Sequence, residues 1–177
     1  MNIKLIALIL IVIFIFCYAF YSSVSVKQYI VTGPVDAHQG LKGLLEVGMT
    51  RNEVVSHIGE PVIEAQATGP FREEDNDEYF KGAFARVRFS MNNKVMSIDF
   101  LPDETRSQYH IEQRIMLRIR GKTYILDGST NLTDISSQFR KAKIPFRIDG
   151  TCLILNKENT DLFFDNSRQS FSRLSIY

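Results

Sequence analysis

Cysteine and histidine are scarce in this sequence of 177 residues, which contains two cysteines and three histidines. Cys17 lies in an apolar run near the N-terminus, so Cys152 has no partner for an internal disulfide in the rest of the chain. His38, His57 and His110 are too widely spaced along the chain to read as a zinc-ligand set. The sequence therefore predicts neither a disulfide scaffold nor a metal centre.

Motifs that carry catalytic chemistry are also missing. The sequence has no Gly-x-Ser-x-Gly elbow, no glycine-rich phosphate loop and no His-Glu-x-x-His pair. Cys152 lies in the apolar stretch TCLIL, which is more typical of a core cysteine than of a reactive thiolate. A net charge of +1 gives no basic surface for nucleic acid. We expect no catalytic residue, no cofactor and no metal, in a protein that is not an enzyme.

Long hydrophobic runs are absent except at residues 5–21, LIALILIVIFIFCYAFY, which carry no charge. This length lies between that of a signal peptide and that of a spanning helix. Lys4 before the run favours a cytoplasmic N-terminus. We expect a single-pass anchor in a bacterial inner membrane, with the remaining chain in the periplasm. Cleavage near Ser25, which would release a periplasmic or secreted protein, stays open as the alternative.

A short helix is predicted from the stretch EVGMTRNEVVSHIGEP at 46–61. Thr50 and Glu53 have the spacing of a capping box, and Met49 and Val54 have that of a hydrophobic staple. A glycine and a proline then end the helix. The motif comprises Gly48, Met49, Thr50, Glu53, Val54, Gly59 and Pro61. Its expected role is structural: it fixes both ends of a helix that must pack against a sheet.

The remaining chain predicts a repeated pattern of helix and antiparallel strands. Alternating residues predict a hairpin over 79–101, another over 115–126, and strands after a second helix that Asn131 caps. Both halves follow the same order of elements, and Met96-Ser97-Ile98 matches Leu174-Ser175-Ile176. We expect a tether at 22–43, one helix-plus-sheet unit at 44–102, a polar linker, and a second unit at 111–177.

An acidic run is the most distinctive polar feature of the sequence. It lacks the spacing of a calcium loop, because the sixth position from Asp75 is Phe80 and the twelfth is Arg86. It is either a solvated loop or an acidic finger that enters a basic cleft of a partner, with aromatic anchors beside it. The candidate binding residues are Phe71, Glu73, Glu74, Asp75, Asp77, Glu78, Tyr79 and Phe80.

Residues 46–100 resemble the BamE-like (SmpA/OmlA) domain of the outer-membrane β-barrel assembly machinery. The resemblance rests on Gly48, Met49, Thr50, Val54, Gly59 and Pro61. A similar helical start opens each tandem repeat of the secreted β-lactamase-inhibitory protein. The resemblance implies helices packed on an antiparallel sheet, an exported location and a protein-binding role. The second half of the chain matches only in the order of its elements.

Together these observations predict an α+β protein with an N-terminal membrane helix followed by two small helix-on-antiparallel-sheet units. The expected function is that of a non-enzymatic, membrane-anchored module that binds another protein of the bacterial cell envelope. The alternative is an inhibitor or immunity protein that blocks a periplasmic enzyme or toxin.

Overall fold

The computed structural model describes residues 26–65, 76–80, 84–106, 109–167 and 169–177. The strands in these ranges are β1 Val26–Asp36, β2 Gly40–Leu41, β3 Leu45–Glu46, β4 Ile63–Ala65, β5 Asn76–Phe80, β6 Ala85–Phe89, β7 Val95–Phe100, β8 Asp103–Arg106, β9 Tyr109–Ile119, β10 Lys122–Leu126, β11 Arg147–Asp149, β12 Cys152–Leu155, β13 Thr160–Phe164 and β14 Phe171–Ile176. The helices are α1 Arg51–Ile58 and α2 Leu132–Lys141.

The larger sheet has eight antiparallel strands and contains four strands from each half of the chain. Its order is β11-β12-β13-β14-β7-β6-β5-β4, so each half forms a four-stranded meander. The two meanders join where β14 pairs with β7, through Leu174 with Phe100 and Ile176 with Ile98. Because the backbone pairing continues across this junction, the two halves share one sheet.

The smaller sheet also combines both halves of the chain. Its order is β10-β9-β1-β2-β3, and β8 pairs with β9 away from this path. Strands β1 and β9 run parallel, with Val26 opposite Tyr109 and Asp36 opposite Arg118. The region predicted as a tether therefore contains an inner strand, and the predicted linker contains β8.

Helix α1 begins and ends at the residues that the sequence motif indicates. The Glu53 amide donates to Thr50 Oγ1 at 3.3 Å, and the Thr50 amide donates to Glu53 Oε2 at 2.8 Å, which completes the capping box. Val54 is fully buried. Gly59 ends the helix at a φ of 89°, a conformation that a residue with a Cβ atom rarely adopts.

Helix α2 also begins at a side-chain cap. Asn131 Oδ1 accepts the Asp134 amide at 2.8 Å, and the helix buries Ile135 and Phe139. The Phe139 ring meets the edge of Tyr124 with the ring centroids 4.8 Å apart. Strand β10 of the smaller sheet carries Tyr124, so this contact fixes α2 to that sheet.

One hydrophobic core cluster contains residues from both sheets and both helices. Its largest fully buried side chains include Phe80, Phe89, Phe100 and Phe139. Gly40 has a φ of 104°, and a Cβ atom there would lie 2.5 Å from the Leu45 carbonyl oxygen of β3 and 2.9 Å from Ile98 Cδ1 of the larger sheet. The halves are therefore packed as one body around a common interior.

The predicted fold class was wrong about architecture. The described chain is mostly β-sheet, arranged as two sheets that each draw strands from both halves, instead of two helix-on-antiparallel-sheet units after an N-terminal helix. The sequence showed hairpins but not the long-range pairing of β1 with β9 and β7 with β14. Local alternation carries no information about such partners.

The predicted membrane topology is also corrected. Among the described residues, no helix is long and apolar enough to cross a membrane. This finding contradicts the expected signal-anchor and the expected inner-membrane and periplasmic location. Residues 5–21, on which that prediction rested, lie outside the described residues.

Candidate functional site

The two halves of the larger sheet correspond residue by residue near the junction. Within β6 and β7, Arg86 lies opposite Asp99. Within β13 and β14, Asp161 lies opposite Ser175. Both hairpins contain a register irregularity at the same place, after Arg88 in the first and after Phe163 in the second. By this correspondence, the residue of the second half that is equivalent to Ile98 is Leu174. The sequence comparison matched Ile98 with Ile176 instead, and was therefore out of register by two residues.

Asp99 and Ser175 form the centre of this arrangement. They are equivalent residues of the two halves, and they lie opposite each other where β7 meets β14. Ser175 Oγ donates to Asp99 Oδ1 at 2.6 Å. Both side chains are nearly buried, at 9% and 8% exposure. The pair therefore lies on the approximate two-fold axis of the larger sheet.

A row of outward-facing residues crosses the sheet through this pair. Successive strand pairings connect Arg147, Ile154, Asp161, Ser175, Asp99 and Arg86. The alternate positions on these strands supply core residues such as Val87, Leu162 and Leu174. The row therefore lies on the face of the sheet that points away from the core, which we call the outer face.

Arg173 covers the centre of the outer face. Its guanidinium carbon lies 4.0 Å from the centroid of the Phe163 ring, a cation–π contact. Its Nη1 lies 3.8 Å from Asp99 Oδ2. Arg173 Nε is buried and has no hydrogen-bond partner among the described residues. The guanidinium is thus held between a ring and a carboxylate that already accepts from Ser175.

These residues line an open groove of about 280 Å³ on the outer face. We call it the junction groove. Its lining residues are Arg88, Met96, Ser97, Asp99, Asp161, Phe163, Arg173, Ser175 and Tyr177. Both halves of the chain contribute to it, so the groove exists only because β7 and β14 are paired.

Asp161 in the second-half wall of the groove and Cys152 beside that wall both have raised pKa values. Burial raises the pKa of Asp161, whose Oδ1 accepts from the Tyr177 hydroxyl at 3.2 Å. Burial, followed by the nearby charge of Asp161, raises the pKa of the Cys152 thiol to about 11. Cys152 lies opposite Phe163 on the neighbouring strand. A thiol with this pKa is protonated at neutral pH, which does not suit a nucleophile.

The candidate binding residues in and beside the acidic run lie partly outside the described residues and partly in strand β5. Phe71, Glu73, Glu74 and Asp75 lie outside the described residues, whereas Asp77, Glu78 and Tyr79 belong to strand β5. Phe80 is fully buried, and its ring meets Phe89 with the centroids 6.4 Å apart. Phe80 is thus a core residue and not a surface anchor.

The arginines at alternating strand positions have different surroundings. Arg118 Nη2 lies 3.4 Å from Asp36 Oδ2, and Arg120 Nε lies 2.9 Å from the buried carboxylate of Glu158. Arg118 lies in β9 of the smaller sheet, and Arg120 directly follows that strand. The ion pair of Arg120 with Glu158 connects the smaller sheet with the segment between β12 and β13 of the larger sheet. Arg88 instead lines the junction groove.

None of the residues that line the groove was among the candidate binding residues predicted from the sequence. The available signal was alternation in the last two strands, which places Asp161 with Phe163 and Arg173 with Ser175 on one face. The sequence did not show that this face meets Met96, Ser97 and Asp99.

No family model matches this chain, and neither the curated proteins nor the solved structures contain a match. The described residues also contain no group of three or more His, Cys, Asp or Glu side chains arranged to hold a metal ion. The site is therefore interpreted from its own geometry.

Proposed function

We propose that this chain is a non-enzymatic protein-binding module, and that its binding surface is the outer face of the larger sheet. The observation that carries the proposal is the junction groove. It combines two arginines, two aromatic rings and a methionine with two partly buried carboxylates. Aromatic residues, methionine and arginine are the residue types enriched in protein interfaces.

The dimensions of the outer face support this proposal. Eight paired strands at the usual spacing span about 34 Å, which is wide enough for a standard interface. Met96 and Tyr177 are 49% and 45% exposed at the groove, so they offer apolar contact area at its centre. Met96 lies in β7, and the Tyr177 amide donates to the Asn159 carbonyl, so the backbone is fixed at both positions, which lowers the entropy cost of binding.

The acidic run is proposed as a second contact with the partner. In sequence its first three acids lie between β4, the edge strand of the same sheet, and β5, the strand beside it. The resemblance of residues 46–100 to a protein-binding family is consistent with a partner in this region. Replacing Glu73, Glu74 and Asp75 with asparagine or glutamine tests this contact without deleting strand β5. Undiminished partner binding would exclude it.

Site-specific photo-crosslinking tests the proposed surface. A photoreactive amino acid replaces Met96 in the full chain, and a second variant carries it at Ile125. Ile125 is 58% exposed on β10 of the smaller sheet, so it is a matched exposed position away from the groove. We expect a discrete crosslinked protein from position 96 and none from position 125. Crosslinks from position 125 alone, or from neither position, would refute the proposal.

The identity of the crosslinked protein decides between two kinds of module. A hydrolase or toxin whose activity falls when this chain is added would assign it an inhibitory role. A partner whose activity is unchanged, or which has none, would assign it a scaffolding role.

A further inference from the structure

Asp161 carries a carboxylate that forms no ion pair with any residue the structure describes. Its contact is the hydrogen bond from the Tyr177 hydroxyl, 3.2 Å from Oδ1. Its neighbours in the row across the sheet are Ile154 and Ser175, which are uncharged. The charge therefore faces the groove, and no cation among the described residues lies within ion-pair distance of it.

The two cations whose charge acts on Asp161 are Arg147 and Arg173, and each has a closer ion-pair partner. Arg173 stacks on Phe163 and lies 3.8 Å from Asp99. Arg147 lies 3.7 Å from Asp149 at the edge of the sheet. Both arginines stabilise the charge of Asp161 at long range, but burial outweighs them, and the pKa of Asp161 is raised. The carboxylate has lost water without gaining a cation at ion-pair distance among the described residues, so a cationic guest would restore the lost interaction.

The groove also offers surfaces for an aliphatic stem. The Tyr177 ring and the Met96 side chain are both about half exposed and both line the groove. Long basic side chains place their methylene groups along such apolar surface and keep the charge at the end. A flat guanidinium stacks on an aromatic ring in addition.

We propose that the junction groove binds a basic side chain of the partner protein, with its charge against Asp161 and its stem along Tyr177 and Met96. This inference rests on the proposed function, since it names the chemistry of the partner at the same surface. It identifies Asp161 as the residue that selects a lysine or arginine at the centre of the interface. A neutral or acidic residue there would leave Asp161 desolvated and unpaired.

The test uses n-butylguanidinium, which reproduces an arginine side chain, and follows the amide NMR signals of the full chain. We expect saturable shifts at Asp161, Ser175 and Tyr177 with a Kd on the order of 10 mM. Asp161→Asn should weaken binding about tenfold, because a charge-assisted hydrogen bond is lost. Asparagine keeps the size of the side chain and still accepts from Tyr177, and a thermal melt verifies that the variant is folded.

Glu60→Gln serves as the charge-matched control, since Glu60 is exposed beyond the end of α1 and away from the groove. This variant should bind n-butylguanidinium like the native chain. The neutral probe pentanamide should give no saturable shift at the groove. Absence of saturable guanidinium binding, equal binding by Asp161→Asn, or equal binding of pentanamide would each overturn the inference.

The crosslinking experiment separates this inference from the function on which it rests. If a partner crosslinks from position 96 and Asp161→Asn does not weaken the complex, the inference fails and the proposed function stands. If n-butylguanidinium binds through Asp161 but no partner crosslinks from position 96, the proposed function fails and the cation preference of the groove stands.

Discussion

Ser175 donates a 2.6 Å hydrogen bond to Asp99, and the two residues occupy equivalent positions in the two halves of the chain. The bond lies where β7 and β14 join the two meanders into one sheet. It also sets the orientation of Asp99, which lies beside Arg173 on the outer face. One nearly buried polar pair thus connects the continuity of the fold with the geometry of the groove.

Removing the hydroxyl of Ser175 should destabilise the protein. Ser175→Ala leaves the nearly buried carboxylate of Asp99 without its closest donor, and hydrogen bonds to charged groups contribute about 1.5–3 kcal/mol. Urea unfolding measures this loss. Ser172→Ala is the matched control. Ser172 lies in β14 like Ser175, but it is exposed, and its hydroxyl donates to the backbone carbonyl of Phe163. That control should change stability by less than about 0.5 kcal/mol. Equal losses for the two variants would contradict the assigned importance of the pair.

The capping box of α1 should make stability depend on pH. The backbone hydrogen bond from Thr50, followed by that from its side chain, lowers the pKa of Glu53 in the folded protein. A lowered folded-state pKa gives stability that is fully present above the unfolded-state pKa and is lost as the pH falls through the folded-state value. The stability difference between the native chain and Glu53→Gln should therefore shrink as the pH falls from about 6 to about 3. A difference that stays constant over this range would refute the capping role.

Removing the Phe139 ring should weaken both halves of the protein together. Phe139 is fully buried against Tyr124 and Phe146, so Phe139→Ala should cost about 3–5 kcal/mol. Because the core is shared, amide hydrogen exchange should accelerate in β6 of the first half as well as in β13 of the second. Ile148→Ala, at a 43% exposed position, is the control with little expected effect. Acceleration confined to the second half would show that the halves unfold independently.

Cys152 should resist alkylation in the folded protein. Its pKa of about 11 leaves roughly 100-fold less thiolate at pH 8 than an ordinary cysteine near 9 would have. Iodoacetamide labelling, followed by mass spectrometry of the peptide that contains Cys152, measures the rate against the same chain in urea. Asp161→Asn should raise the folded-state rate, because the charge of Asp161 also raises the thiol pKa. Rapid labelling of the folded chain would refute this assignment.

Local features of the fold were predictable from the sequence, because their causes lie within a few residues. The capping pair Thr50 and Glu53 starts α1, Asn131 starts α2, and alternation marks the hairpin of β6 and β7. The groove was not predictable in this way. It requires β7 to pair with β14, and the two strands are about 75 residues apart in the chain. Sequence alternation fixes which face a residue occupies but not which strand lies beside it.

Phe80 illustrates the same limit on a single side chain. Beside a run of acids, an aromatic residue has the composition of an interface anchor. Its burial depends on β5 being covered by the common core, which the sequence around Phe80 does not encode.

The parallel pairing of β1 with β9 has a consequence for how the chain folds. Val26 lies opposite Tyr109, and β9 follows β1 by about 80 residues. At a synthesis rate of about 5–20 residues per second, β1 waits roughly 4–16 s on the ribosome before its partner strand exists. Strands β4 to β7 are made during that interval and can pair with one another. Pairing in the smaller sheet therefore waits for β9, and the junction of the larger sheet waits longer still, until β14 has been made. Such contacts between distant residues slow the folding of the whole domain.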